Sequence, residues 1–148
     1  MLKKLIILLF IFNPLMGEQL SGIPKIVDGD TVHINEYKIR LEGIDAPELN
    51  QSCKKPYLQI SSFFGLSLNK NYECGKISKK KLIIKINNQP IKCISSSKDK
   101  YKRYLGTCYL GKLNLNKWMV REGYAVAYRR YSKRYLIDEK YAFENKLG

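Results

Sequence analysis

The sequence runs to 148 residues, enough for one compact domain and not comfortably for two. Its 27 lysines and arginines against 13 acidic residues leave a formal net charge of +14, which points to polyanionic partners such as nucleic acid, anionic lipid or glycan. One histidine and four cysteines, with no Cys-x-x-Cys pair, exclude mechanisms built on paired histidines and leave zinc-ribbon and thioredoxin-like readings without support.

Residues 1–17 read as an export signal. Lys3 and Lys4 give the basic start, residues 5–12 are apolar without a break, Pro14 interrupts them, and small Gly17 stands at the expected cleavage point. The run falls short of the roughly 20 residues that span a bilayer, so no membrane attachment is expected after cleavage; an uncleaved anchor is the alternative. The mature domain is then 18–148, secreted or periplasmic, with 25 basic residues facing 13 acidic ones.

Along that domain, residues 22–27 read as a first strand and Asp28-Gly29-Asp30 as a turn. Residues 31–34 and 37–41 read as two more strands joined at Asn35-Glu36. Alternation sends Val32 and Ile34 inward and His33 to solvent. Residues 49–73 contain Pro56, Gly65, several serines and an apolar patch at Phe63-Phe64, and read as one long irregular segment. Residues 76–86 have Ile77, Lys80, Lys81 and Ile84 at helical spacing and read as a basic amphipathic helix, with a strand over 82–86 as the alternative. Asn87-Asn88-Gln89-Pro90 ends that element.

Residues 91–94 and 105–110 read as strands joined by a polar loop over 95–103. Asn114 caps a helix carrying Leu115, Trp118 and Met119 on one face and ending at Gly123, and residues 136–146 read as a last helix. Five short strands with two or three helices make an α+β domain dominated by β, a small barrel under helical cover. Behind an export signal, Cys53, Cys74, Cys93 and Cys108 read as two disulfides, although four cysteines allow three pairings. Cys53 and Cys74 flank the 49–73 segment, and Cys93 and Cys108 fall one on each of two strands, so the favoured pairing is Cys53–Cys74 with Cys93–Cys108.

The chemistry gathers in Val27-Asp28-Gly29-Asp30-Thr31, Arg40, Gly43-Ile44-Asp45-Ala46-Pro47-Glu48 and Asp99-Lys100-Tyr101-Lys102-Arg103. Asp30 and Asp45 sit at strand ends, and two carboxylates with a backbone carbonyl and water suffice for a hard divalent cation. Glu48, stiffened by Pro47, is placed to accept a proton from water. Arg40 and Arg103 offer the guanidinium fork that matches phosphate oxygens. These are the parts that phosphodiester hydrolysis needs. Taken singly, each residue also has an ordinary reading: Asp-Gly fills turns, a glutamate is solvated, and arginines decorate a basic surface.

Together, Val-Asp-Gly-Asp-Thr at 27–31, Ile-Arg-Leu-Glu-Gly-Ile-Asp-Ala-Pro-Glu at 39–48 and Asp-Lys-Tyr-Lys-Arg at 99–103 resemble the thermonuclease (staphylococcal nuclease) family. The resemblance continues through Leu-Asn-Lys-Trp-Met-Val-Arg-Glu-Gly-Tyr-Ala-Val-Ala-Tyr at 115–128, and is strongest to the secreted, cysteine-containing branch. It implies a five-stranded OB-fold barrel and Ca²⁺-dependent cleavage of DNA and RNA that leaves 3′-phosphate ends. No stable protein partner is implied, and a monomer is expected.

By position, the resemblance makes Asp30, Asp45 and the Ala46 backbone carbonyl the metal ligands, with Asp28 an acidic neighbour. Arg40, Glu48 and Arg103 become the catalytic residues, and Lys100, Tyr101 and Tyr128 the contacts near the bound nucleotide. Two substitutions depart from the family pattern: Ala46 stands where threonine is common, and Lys102 where glycine precedes the second arginine. If that position has positive φ, lysine there costs energy and displaces Arg103. The 49–73 segment also looks longer than in relatives. A catalytically inactive nucleic-acid-binding module of the same fold is the alternative. It would need the basic groove and the aromatics, but three carboxylates beside a polyanion groove would repel its ligand.

Overall fold

The computed structural model describes residues 17–60 and 66–148. Residues 1–16 of the expected export signal and the Phe63-Phe64 patch lie outside the described residues. In chain order the elements are β1 (Glu18–Gly22), β2 (Lys25–Ile26), β3 (Thr31–Ile34), β4 (Tyr37–Leu41), β5 (Ile44–Asp45), β6 (Cys53–Ile60) and β7 (Leu66–Tyr72). They continue as α1 (Cys74–Ile86), β8 (Ile91–Lys98), β9 (Tyr104–Leu110), β10 (Leu113–Asn114), α2 (Leu115–Arg121), β11 (Val126–Ala127) and α3 (Leu136–Glu144).

The main sheet runs β1-β8-β9-β4-β3-β2, with β10 added to β9. Only the β4–β9 ladder is parallel, so the sheet is mixed. A closed five-stranded barrel is not what these ladders build. The path begins at β1 and ends at β2, giving a curled open sheet, and β5–β11 and β6–β7 form two separate ladders. The fold is α+β, with three helices among the described residues.

Three local expectations are corrected. The single strand over 22–27 is two pieces, because Pro24 lacks the N–H that a continuous ladder needs; β1 pairs with β8 while β2 pairs with β3. The 49–73 segment is not irregular: Cys53 pairs with Tyr72 and the ladder runs to Ile60 opposite Leu66, as an antiparallel hairpin. Its register shifts between Pro56 and Leu58, where the missing donor favours a bulge. Helix α1 forms as expected but buries Gly75, Ser78, Leu82 and Ile86, leaving Ile77 and Ile84 exposed.

Strand β8 also runs on to Lys98, into the stretch expected as loop, by pairing with β9 up to Tyr104. Val32, Ile34, Ile39 and Leu41 point inward from β3 and β4 and meet Leu82 and Ile86 of α1 with Leu115, Met119 and Val120 of α2. Each such side chain contributes roughly 1.5–3 kcal/mol when removed from water. Asn114 caps α2 by accepting the Lys117 amide at 2.9 Å. Cys93 and Cys108 lie directly opposite on β8 and β9, are fully buried, and are disulfide-bonded. Cys53 and Cys74 form the second disulfide, tying the start of the β6–β7 hairpin to the start of α1.

One buried polar side chain joins these layers. Asn116 is fully buried. Its Oδ1 accepts the Cys108 amide at 3.0 Å, and its Nδ2 donates to the carbonyls of Glu42 at 2.9 Å and Gly106 at 3.0 Å. Helix α2 is thereby fastened to β9 and to the turn that follows β4. Each buried polar group left unpaired costs about 1–3 kcal/mol. Asn116→Ala is therefore expected to lower unfolding free energy by about 3 kcal/mol, read from urea denaturation, whereas an exposed substitution such as Lys117→Ala changes it little.

Candidate active site

The turn between β2 and β3 is self-supporting: the Asp28 carboxylate accepts the Asp30 amide at 3.0 Å, and the Thr31 carbonyl accepts the Val27 amide at 3.0 Å. Gly29 is required there by close approach. A Cβ on it would lie 2.0 Å from Ser78 Oγ of α1 and 2.7 Å from Ala46 Cβ. Opposite the turn, Thr31 pairs with Arg40 across the β3–β4 ladder. Gly43, at φ +77°, then reverses the chain after β4, and β5 docks on β11 with Asp45 opposite Val126. Asp45 is thus returned to the side of Arg40.

The result is a compact charge cluster. Asp30 is almost fully buried and accepts from the Thr31 hydroxyl at 2.9 Å and the Ala46 amide at 3.3 Å. Arg40 Nη2 lies 2.9 Å from Asp30 Oδ2 and 2.8 Å from Asp45 Oδ1, and Nη1 donates to Asp30 Oδ1 at 3.2 Å. One guanidinium nitrogen therefore bridges both carboxylates. Burial pushes the Asp30 carboxyl up to about 6; Arg40 opposes that shift, Asp28 adds to it, and the Thr31 and Ala46 hydrogen bonds oppose it. The Arg40 guanidinium also stands 5.9 Å from the ring centroid of Tyr128, whose amide donates to the Gly43 carbonyl at 3.0 Å.

Arg40 lies opposite Leu105 in the parallel β4–β9 ladder, and Arg103 stands two residues before Leu105, in the turn that leads into β9. The turn before β9 carries the strain anticipated for Lys102, whose φ is +62°.

Asp99 braces this turn. Asp99 Oδ1 accepts the amides of Tyr101 at 2.9 Å and Arg103 at 3.0 Å, and Oδ2 accepts Arg103 Nε at 2.8 Å. Burial works against the Asp99 carboxylate, but the hydrogen bonds from Arg103 and Tyr101 outweigh it and hold its pKa below the usual value. Exposed Tyr101 has Lys100 Nζ 5.0 Å and the Arg103 guanidinium 5.5 Å from its ring centroid.

Glu48 is exposed, and among the described residues its carboxylate has no hydrogen-bond or ion-pair partner. Its backbone is tightly placed. The Glu48 amide donates to Gln51 Oε1 at 3.1 Å, its carbonyl accepts the Gln51 amide at 2.8 Å, and a Cβ on Gly75 of α1 would lie 1.8 Å from that carbonyl oxygen. The Cys53–Cys74 disulfide closes the hairpin beside this contact.

Among the described residues no three His, Cys, Asp or Glu side chains converge as a metal cluster. What converges is one carboxylate pair around a positive charge. Every cysteine is oxidised, so the available donors are hard oxygens, and they fit a hard cation rather than a soft one. The structure thus groups Asp30, Arg40, Asp45, Ala46 and Tyr128, and sets Lys100, Tyr101 and Arg103 on the neighbouring turn. It places the Ala46 amide, not its carbonyl, against Asp30. Asp99 and Thr31 went unassigned from sequence, although an aspartate four residues before an arginine is a signal for such a turn.

Residues 38–148 match the family model described as staphylococcal nuclease homologue. The chain belongs to this family. It is 31% identical over 113 residues to the "succinoglycan biosynthesis protein ExoI" of Rhizobium meliloti (strain 1021), covering 74% of this chain and 53% of that protein. It is 32% identical over 115 residues to an "uncharacterized endonuclease" of Haemophilus influenzae, again covering 74% and 53%. A second protein so described, from Escherichia coli O157:H7, is 28% identical over 139 residues, covering 89% of this chain and 77% of its own length. The chain spans about half the length of the first two relatives. This membership supports a nuclease-superfamily role, and the two disulfides accord with its cysteine-containing branch.

Two outcomes follow from the site. The Asp30 carboxyl titrates near 6 in the folded chain against an ordinary value of 3.8, so the folded state holds the extra proton between those values. Stability in chelator is therefore expected to fall as pH rises from about 4 to about 6 and then level, each pKa unit being worth about 1.4 kcal/mol. Asp30→Asn should gain on the parent across that window in pH-dependent urea unfolding. Lys102→Gly removes a left-handed lysine and is expected to raise stability by about 1 kcal/mol in the same assay.

Proposed function

We propose that this chain is an exported nuclease that hydrolyses phosphodiester bonds of DNA and RNA in a Ca²⁺-dependent reaction, leaving 3′-phosphate ends. The observation carrying this reading is the convergence of the Asp30 and Asp45 carboxylates on one nitrogen of Arg40, with Arg103 in the turn that leads into the adjoining strand β9. On this reading the curled mixed sheet is an OB-like half-barrel. The two disulfides favour an oxidising compartment, secreted or periplasmic.

Asp30, Asp45 and the Ala46 carbonyl are the groups that would hold Ca²⁺, with water completing the shell. When bound, the cation supplies positive charge to a non-bridging phosphate oxygen. Arg40 and Arg103 donate to the oxygens on which charge develops as phosphorus becomes five-coordinate. Glu48, which is exposed, takes a proton from the attacking water. The new P–O bond forms as the bond to the 5′-oxygen breaks, and solvent protonates that oxygen. Lys100 steers the backbone, while Tyr101 and Tyr128 offer ring faces to the nucleotide. On this reading a single chain carries every group named, and the proposed active form is a monomer.

Degradation of single-stranded DNA and of RNA by the purified protein, in Ca²⁺ or in chelator, tests the reading. Cleavage is expected only with Ca²⁺, falling about 10²–10³-fold in Arg103→Ala and by a similar factor in Glu48→Gln. A folded protein that binds nucleic acid yet never cuts it would replace this reading with the binding-only module.

A further inference from the structure

The cluster above accounts for one phosphate. Beside it a groove of about 320 Å³ is bounded by Asp45, Ala46, Ile77, Ser78, Tyr124 and Val126. Ile77 at its edge begins one ridge of α1, on which Lys81 and Lys85 follow at steps of four residues. Lys81 Nζ lies 5.4 Å from the Tyr124 ring centroid, and Lys85 Nζ lies 5.2 Å from that of Trp118. The two rings are 5.7 Å apart and tilted by 51°. Leading away from the carboxylates, the surface therefore repeats a unit of one aromatic ring with one ammonium, twice.

Both rings are half-buried and packed on the core, which fixes them while leaving part of each to solvent. Ser78 Oγ donates to the Tyr124 carbonyl at 2.8 Å and holds that ring's backbone against α1. No acidic residue occurs in α1, whose sequence carries five lysines. An exposed ammonium over a ring is a weaker contact than a base stacked on it. A base can therefore take the ring face from the lysine, and the released ammonium then meets the phosphate beside that base.

We propose that Tyr124 and Trp118, with Lys81 and Lys85, form a track for a single strand of nucleic acid running on from the phosphate site. Each ring takes one unpaired base and each lysine one phosphate. A duplex is excluded, because its bases are already stacked and paired. The ligand class rests on the nuclease reading, but the track itself is a binding surface that can be tested with cleavage switched off.

Trp118 is the only tryptophan, so its emission reports on this surface alone. In chelator, the protein is titrated with oligothymidylates of increasing length and with a duplex of matched length. Single strands are expected to quench Trp118, and the duplex is not. Lys81→Gln/Lys85→Gln should weaken single-strand binding about tenfold and flatten the plot of log affinity against log salt by about 1.4, since each phosphate no longer neutralised removes about 0.7 from the slope. A control, Lys112→Gln/Lys140→Gln, removes the same charge from other exposed positions and should do neither to that extent.

Equal losses in the two double variants, or Trp118 emission indifferent to saturating single strand, would overturn the track. With Ca²⁺ restored, a dinucleotide too short to occupy the track should be cleaved equally by the parent and by Lys81→Gln/Lys85→Gln. A selective loss on the dinucleotide would place the lysines at the phosphate site and also overturn the track. If the parent cuts neither long nor short substrate, the nuclease reading fails, while the fluorescence titration still decides the track.

Discussion

The amide of Asn116 is the tie on which the arrangement depends. It satisfies one donor on β9 and two acceptors, at Gly106 and at Glu42, from a position with no access to water. A buried side chain with such a complete set of partners admits one placement of α2 relative to the sheet. Glu42 sits at the end of β4, between Arg40 and Asp45, and its own amide also donates to Gly106 at 2.9 Å. Whatever fixes Glu42 therefore fixes the turn that brings Asp45 back against Arg40. The chemistry lies on short strands and turns, but their positions are set from the core.

The charge cluster balances opposing costs. Asp30 is taken out of water, which disfavours its ionised form, and Arg40 with two hydrogen bonds recovers only part of that. Asp45 stays half-exposed and keeps most of its hydration. The two carboxylates are thus unequal: one is dry, tightly held and costly to ionise, the other wet and adaptable. Arg40 lies between them as an internal counter-ion, so a phosphate or cation approaching this site competes for groups already engaged with one another. A similar economy governs Arg103, whose Nε edge is committed to Asp99, which limits the directions in which the rest of its fork can point.

Much of this was legible in the chain. The alternation at Val32 and Ile34 and the turn at Asn35-Glu36 gave the β3–β4 pair, Asn114 announced α2, and the cysteine placement anticipated both disulfides. The ordered motifs carried the family. What stayed hidden depended on contacts between distant residues. In α1, apolar content pointed to Ile77 and Ile84, yet the inward face uses Gly75 and Ser78, because the Glu48 carbonyl and Gly29 approach too closely for larger side chains. The β6–β7 hairpin was masked by Pro56 and the register shift beside it. The convergence of Asp30, Arg40 and Asp45 needs the register of one ladder and the docking of another, and neither has a local signature. Lys102 looked like a defect in sequence; Asp99 is what makes it tolerable.

The parallel β4–β9 ladder has a consequence for the order in which the molecule assembles. It joins Arg40 to Leu105, across a long intervening stretch of chain that includes the disulfide-closed hairpin and α1. Closing so long a loop carries an entropic cost that grows with its length, and only the finished ladder and the Asn116 tie repay it. The Asp30–Arg40 pair, by contrast, arises from the β3–β4 hairpin of neighbouring residues, which can form early. Asp45 joins them only once β11 and the Asn116 tie are in place, later in the chain than β9 itself. The full constellation is among the last things this fold completes.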